Sequence, residues 1–209
     1  MMKRRTRGIF LIVLGLIMVF SATGIYGMYA RNESIAGENA ELLLEGLRTE
    51  MALRRETVMY NPAQEEQPTE ELPRLTLSGY DLVGILRVPS LGLELPILDQ
   101  WSYDLLQLSP CRYSGSAEGG DLILLGHNYK KHFTLLKQLK GGDVVEFEDV
   151  TGKVYTYTVT ATEVLQKTEL ERLTNTDCAL TLFTCTNGGY SRFVVRCEIT
   201  EGHSPAPPL

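Results

Sequence analysis

The sequence predicts a mainly β domain, closed or nearly closed into a barrel with only short helices, carried behind an N-terminal membrane-spanning helix. Two observations lead there. Residues 8–30 carry no charged side chain. From residue 79 onward, short apolar runs recur between Gly, Pro, Asn and Ser turns, with only brief helical stretches among them. Many short strands without long helices must bury their apolar faces against one another, which a barrel accomplishes.

The first seven residues form a basic tail with Lys3, Arg4, Arg5 and Arg7. The uncharged run that follows has 23 residues, enough to cross about 30 Å of hydrocarbon at about 1.5 Å per residue. The basic flank places the N-terminus in the cytoplasm and everything after Ala30 outside. Ser21-Ala22-Thr23 is a loose signal-cleavage pattern, but the apolar run continues through Ile25, Tyr26, Met28 and Tyr29. That favours an uncleaved anchor with interfacial tyrosines. Residues 31–78 are expected to hold a stalk and a linker. Over 38–57, Leu42, Leu43, Leu47, Met51 and Leu53 give partial helical periodicity, read as a solvated helical stalk rather than a partner-binding helix. Residues 61–73 are rich in Pro, Glu and Gln without aromatics, the composition of a semi-extended spacer.

The folded body is expected over 79–200, with a flexible tail at 201–209. Within it, 82–88 and 91–98 read as short apolar strands, 103–108 as a brief helix and 109–116 as a loop. The nearly all-apolar 120–125 reads as a central strand. A short helix at 133–139 ends at Gly141-Gly142. Residues 144–147 and 153–165 form a hairpin, and the second arm alternates Val154, Tyr155, Thr156, Tyr157, Thr158 and Val159. The last two strands are 180–184 and 192–200.

Composition bounds the partners. The net charge is −6 with the basic residues clustered at the N-terminus, so the acidic body argues against nucleic acid. Four cysteines, Cys111, Cys178, Cys185 and Cys197, are too sparse for a disulfide scaffold and lack zinc-ligand spacing. Cys111, Cys178 and Cys197 read as small apolar residues, with a Cys111–Cys178 bridge left open. No cofactor is expected.

Cys185 ends an apolar strand and precedes the turn-rich stretch Thr186-Asn187-Gly188-Gly189-Tyr190, and Arg192 opens the next strand. An isolated strand-end cysteine is ordinarily structural. A cysteine beside a fixed positive charge is instead suited to nucleophilic work. Arg192 across the hairpin offers fork-shaped donors to a developing oxyanion. Arg196 is the competitor, on the same strand face but about 13 Å farther along. His127 closes the apolar run Leu122-Ile123-Leu124-Leu125-Gly126, and its unperturbed pKa near 6.5 suits general acid work. His132 and His203 lack a comparable setting, one in a Lys-rich stretch and the other in a Pro-rich tail.

Gly126-His127-Asn128, Thr181-Leu182-Phe183-Thr184-Cys185 and Arg192-Phe193-Val194-Val195 resemble the three signature blocks of sortases, membrane-anchored cysteine transpeptidases of mostly Gram-positive bacteria. The resemblance covers residues 79–200. It implies an eight-stranded β barrel. It also implies that Cys185 attacks the Thr–Gly carbonyl of an LPXTG-like sorting signal on a surface protein and forms a thioacyl enzyme. His127 would act as acid for the leaving glycine and then as base for an incoming amine. Arg192 would hold substrate and oxyanion, and Thr184 would help line the threonine pocket. The acceptor would be a cell-wall precursor amine or a pilin lysine.

Some features depart from the larger members of that family. The segments 166–177 and 186–191 are short, and no long helical insert of the class B kind precedes the Cys strand. A smaller, class D-like member fits better. Asp99, Asp104, Glu118, Glu169 and Glu171 are scattered acids with no clear calcium-site pattern. Two other readings compete: an anchored cysteine peptidase that hydrolyses wall or surface peptides, and an inactive β-barrel binding module in which His127, Cys185 and Arg192 do not converge.

Overall fold

A computed structural model describes residues 2–60, 72–186 and 188–200. The linker reading over 61–71 and the tail reading over 201–209 fall outside the described residues.

Helix α1 runs without a break from Met2 to Tyr60. Its N-terminal part, from Gly8, is long and apolar enough to cross a membrane, and Ile9 to Phe20 present exposed apolar side chains. The C-terminal part is not a fully solvated stalk. Ala36, Ala40, Leu43, Leu44, Leu47 and Met51 are buried, a spacing that follows one helix face. Leu42 and Leu53, equally apolar, fall off that face and stay exposed. The face packs on the strands of the body, with Leu43, Leu44, Leu47 and Met51 in one apolar cluster with Leu75, Leu82, Ile85 and Leu98. Burying each such Leu or Met contributes about 1.5–3 kcal/mol. Ion pairs from Arg48 to Glu94 and Arg55 to Glu148 flank the seam.

Nine strands follow among the described residues: β1 (Leu75–Leu77), β2 (Tyr80–Val88), β3 (Leu93–Leu98), β4 (Cys111–Ser114), β5 (Leu122–Gly126), β6 (Val144–Asp149), β7 (Val154–Gln166), β8 (Leu180–Cys185) and β9 (Ser191–Ile199). Their order is β1-β2-β3-β4-β5-β8-β9-β7-β6, and β6 pairs back onto β2. Strands β2 to β9 therefore close into a mixed eight-stranded barrel, with β1 added outside on β2. The closure agrees with the fold class read from the sequence. Closure leaves the barrel strands no free edge. Its interior is filled by Leu86, Leu95, Ile97, Leu124, Phe133, Tyr157, Leu182 and Val195.

Three short elements were not foreseen. β1 precedes residue 79, because Leu75 is needed under α1. β4 lies inside the expected 109–116 loop and pairs with β5 antiparallel and with β3 at one position, Leu98 with Cys111. A one-turn helix α2 (Leu170–Thr174) lies between β7 and β8. All four cysteines are free, so the open Cys111–Cys178 bridge is absent; burial pushes the Cys111 and Cys197 thiols up to about 12.

Candidate active site

Two pairings bring the expected residues together. Strands β5 and β8 run parallel, with Leu125 opposite Phe183 and Gly126 opposite Thr184. The next residue on each strand is His127 on one and Cys185 on the other, so both leave the sheet on the same face. Strand β9 runs antiparallel to β8 and places Arg192 opposite Cys185. The three side chains line one cavity of about 210 Å³ outside the barrel wall. Cys185 and Arg192 are half-buried there.

Local sequence explains each placement. Gly126 is required because any Cβ there would stand 2.4 Å from the Phe133 ring. That ring folds under the His127 loop, and Phe133 N–H donates to the His127 carbonyl at 3.2 Å. The loop is tied by His132 N–H to the Tyr129 carbonyl at 3.0 Å and by the Thr134 hydroxyl to Asn128 Oδ1 at 2.9 Å. Between Cys185 and Arg192, Gly188 and Gly189 take positive φ, which L side chains rarely adopt. Thr186 N–H donates to the Ser191 carbonyl at 3.0 Å. The Arg192 guanidinium donates to the Gly189 carbonyl at 3.0 Å, and no carboxylate among the described residues pairs with it. A held guanidinium without an acid partner keeps donors for an incoming anionic oxygen.

His127 is half-buried, and burial pushes its imidazole below the ordinary histidine range. Its Nδ1 is buried without a hydrogen-bond partner among the described residues. Its ring stacks on Tyr129 at 3.8 Å between centroids, with the planes 13° apart.

Two of the residues named from the sequence lie away from the cavity. Thr184 does not line the cavity. It is fully buried, and as the strand neighbour of Cys185 its side chain points to the opposite face, into the barrel, with Oγ1 unpaired among the described residues. Its place is behind the site, paired with Gly126. Arg196, the alternative oxyanion donor, is buried and committed elsewhere. It pairs with Glu163 at 3.0 Å, donates to Thr181 Oγ1 and the Leu173 carbonyl at 3.0 Å each, and also reaches the Arg172 carbonyl. It fastens α2 to the barrel, and Leu170 and Leu173 of α2 line the cavity.

An aromatic wall was not foreseen. Trp101, Tyr103, Tyr113 and Phe183 line the cavity along with Leu170 and Leu173 of α2. Trp101 stacks on Tyr113 at 5.7 Å, and Tyr113 meets Phe183 edge-on at 5.3 Å. The available signal was the chain's one tryptophan in a turn that offers it no strand to pack in. Among the described residues no cluster of three or more His, Cys, Asp or Glu side chains forms a metal site. Asp99 is taken by Arg112, and Glu169 by Arg172.

The arrangement supplies a thiol, an imidazole and a guanidinium in one groove lined also by aromatic and aliphatic side chains. That set can form and resolve an acyl–sulfur bond. Comparison with known proteins points to one family. Residues 86–200 match the family model of the sortase domain. The chain is 26% identical over 201 residues to sortase A of Listeria monocytogenes, covering 88% of this chain and 85% of that one. Its fold is similar to a Clostridium perfringens sortase D5 transpeptidase, with a TM-score of 0.58 and 18% identity over 78% of this chain and 99% of that one. It is also similar to a Clostridium perfringens sortase C solved with a C-terminal cell wall sorting motif, with a TM-score of 0.54 and 24% identity over 76% and 90%.

Proposed function

The chain belongs to the sortase family, and on that premise we propose that it cleaves an LPXTG-like sorting signal between Thr and Gly and transfers the acyl group to an amine. The observation that carries this reading is the shared cavity: His127, Cys185 and Arg192 converge from three strand ends. The Cys185 thiol passes its proton to His127 as its sulfur attacks the threonine carbonyl carbon, and Arg192 donates to the oxyanion that develops. As the C–N bond breaks, His127 delivers a proton to the departing glycine amine, leaving a thioester on Cys185. An incoming amine then attacks the thioester carbon and gives its proton to His127. The C–S bond breaks and the thiolate returns. Donors fixed on an oxyanion of this kind contribute about 3 kcal/mol.

The walls support a peptide of this type. Trp101, Tyr113, Phe183, Leu170 and Leu173 offer apolar contact to the signal's leucine and proline. The structural relative solved with a sorting motif is consistent with such a ligand. The acceptor is a cell-wall precursor amine or a pilin lysine. Lys3, Arg4, Arg5 and Arg7 ahead of the apolar part of α1 support a cytoplasmic N-terminus with the catalytic domain outside.

The test uses the full chain in detergent micelles with fluorogenic sorting peptides, with and without amine acceptors. The expected result is an acyl adduct on Cys185 by mass spectrometry and an amide product that grows with acceptor concentration. Cleavage unaffected by any acceptor would favour the hydrolytic peptidase, and no adduct with any peptide would remove the assignment.

A further inference from the structure

A catalytic histidine is normally oriented by a hydrogen bond from its second ring nitrogen to a carboxylate or carbonyl. His127 lacks that device among the described residues, since Nδ1 is buried and unpartnered. What contacts its ring face is Tyr129, nearly parallel at 3.8 Å. Tyr129 is itself buried and braced from outside the body. Tyr29 of α1 meets it edge-on at 6.0 Å and donates its hydroxyl to the neighbouring Asn128 carbonyl at 3.2 Å. One helical turn on, Glu33 accepts a hydrogen bond from Lys130 N–H. The membrane-proximal part of α1 is thereby joined through two aromatic rings to the imidazole.

We propose that Tyr129 is the positioning residue for His127: its ring fixes the imidazole plane and steadies the imidazolium, and Tyr29 and Glu33 hold Tyr129 in place. This rests on the acid–base role given to His127 above. The chemistry follows from the geometry. A neutral imidazole stacked on a phenol ring is held by dispersion. Once protonated in turnover it becomes a cation over an aromatic face, an attraction that strengthens as water is excluded. An aliphatic side chain of similar bulk keeps the burial but loses the negative π face.

The comparison that isolates this effect is Tyr129→Phe against Tyr129→Leu in the full chain in detergent micelles. Both keep an apolar group at the site, and no hydrogen bond of the Tyr129 hydroxyl to a described residue is lost. The other titratable groups around His127 are common to both variants. They are Cys185 and Arg192 on β8 and β9, Lys167 and Glu169 beyond β7, His132 on the same loop, and Tyr29 and Glu33 on α1. The phenylalanine variant is expected to keep kcat within about twofold of the parent. The leucine variant is expected to lose about tenfold in kcat with KM within about twofold. The second readout is independent of activity: NMR titration of isotope-labelled histidine, assigned among the three histidines present. His127 in the leucine variant should titrate about 0.5–1 pH unit below the phenylalanine variant. Equal titration and equal kcat in the two variants, with matched thermal melts, would overturn the proposal. If the parent forms no acyl adduct, the transpeptidase reading fails, while the titration still decides whether Tyr129 sets the state of His127.

Discussion

Arg192 and Arg196 stand four residues apart on β9, yet only one faces the thiol. Arg192 lies opposite Cys185 in the β8–β9 ladder, and Arg196 lies opposite Thr181 with its guanidinium closed in by Glu163 and the carbonyls of α2. The strand rise separates them by about 13 Å. One guanidinium is left for chemistry and the other for architecture.

The pair therefore separates into two phenotypes. Arg192→Lys keeps the charge but loses the planar fork, so turnover should fall about a hundredfold with little change in melting temperature. Arg196→Met leaves Glu163 with Arg172 alone and takes the buried donor from the Leu173 carbonyl and the Thr181 hydroxyl, and should destabilise the fold by about 1–3 kcal/mol. Its turnover defect should come mainly through KM, because α2 walls the groove. Steady-state kinetics beside a thermal melt separate the two cases, and near-normal turnover in Arg192→Lys would shift the oxyanion role to backbone donors.

Cys185→Ala removes one sulfur from a half-buried strand end. The fold should persist, with a stability change of about 1 kcal/mol or less, while the acyl adduct disappears from the mass spectrum. An adduct that persists in this variant would point to another nucleophile. Cys111 and Cys197 are poor substitutes, being buried with thiols pushed up to about 12.

The barrel was legible where strands are long or fully apolar. The alternation of β7 and the apolar run of β5 announce themselves, and so do the thiol, imidazole and guanidinium at three strand ends. β4 was not legible. It is four residues, Cys111–Ser114, between Pro110 and Gly115, and a four-residue run carries too little period to tell strand from loop. The aromatic wall was hidden because Trp101, Tyr113 and Phe183 come from separate elements and meet only after closure. The face of Thr184, by contrast, was available: two adjacent strand residues point to opposite sides, so a cavity-facing Cys185 sends Thr184 inward.

The buried stripe on α1 has a consequence for truncation. A soluble body beginning at Gly79 loses Leu43, Leu44, Leu47, Met51 and Leu75, and uncovers Leu82, Ile85 and Leu98. At about 25 cal/mol per Å² of apolar surface, that loss amounts to several kcal/mol, comparable with the total stability of an ordinary domain. Such a fragment should aggregate or melt well below one that begins near Ser34 and so keeps the packed face of α1. Size-exclusion profiles and melts of the two fragments check this. Equal behaviour would mean that the helix contributes little to the body's stability.

His132 makes the fold sensitive to acid. It is fully buried, neither ring nitrogen has a hydrogen-bond partner among the described residues, and the Ala36 backbone offsets only part of the burial. Burial, with a smaller push from His127, brings its imidazole down to about 4. In the unfolded chain it returns to about 6.5. Between those values the unfolded state binds a proton that the native state refuses, so stability falls as pH is lowered from about 6.5 toward 4. The full loss is on the order of 3 kcal/mol, reached below pH 4, and none of it is present above about pH 7. A His132→Phe variant has no proton to take up, so its urea midpoint should decline less than that of the parent between pH 6.5 and 4. Parallel pH dependence in the two proteins would place the acid sensitivity elsewhere, first in Glu94, whose carboxyl burial pushes up but Arg48 and Arg87 hold below the usual carboxylate range.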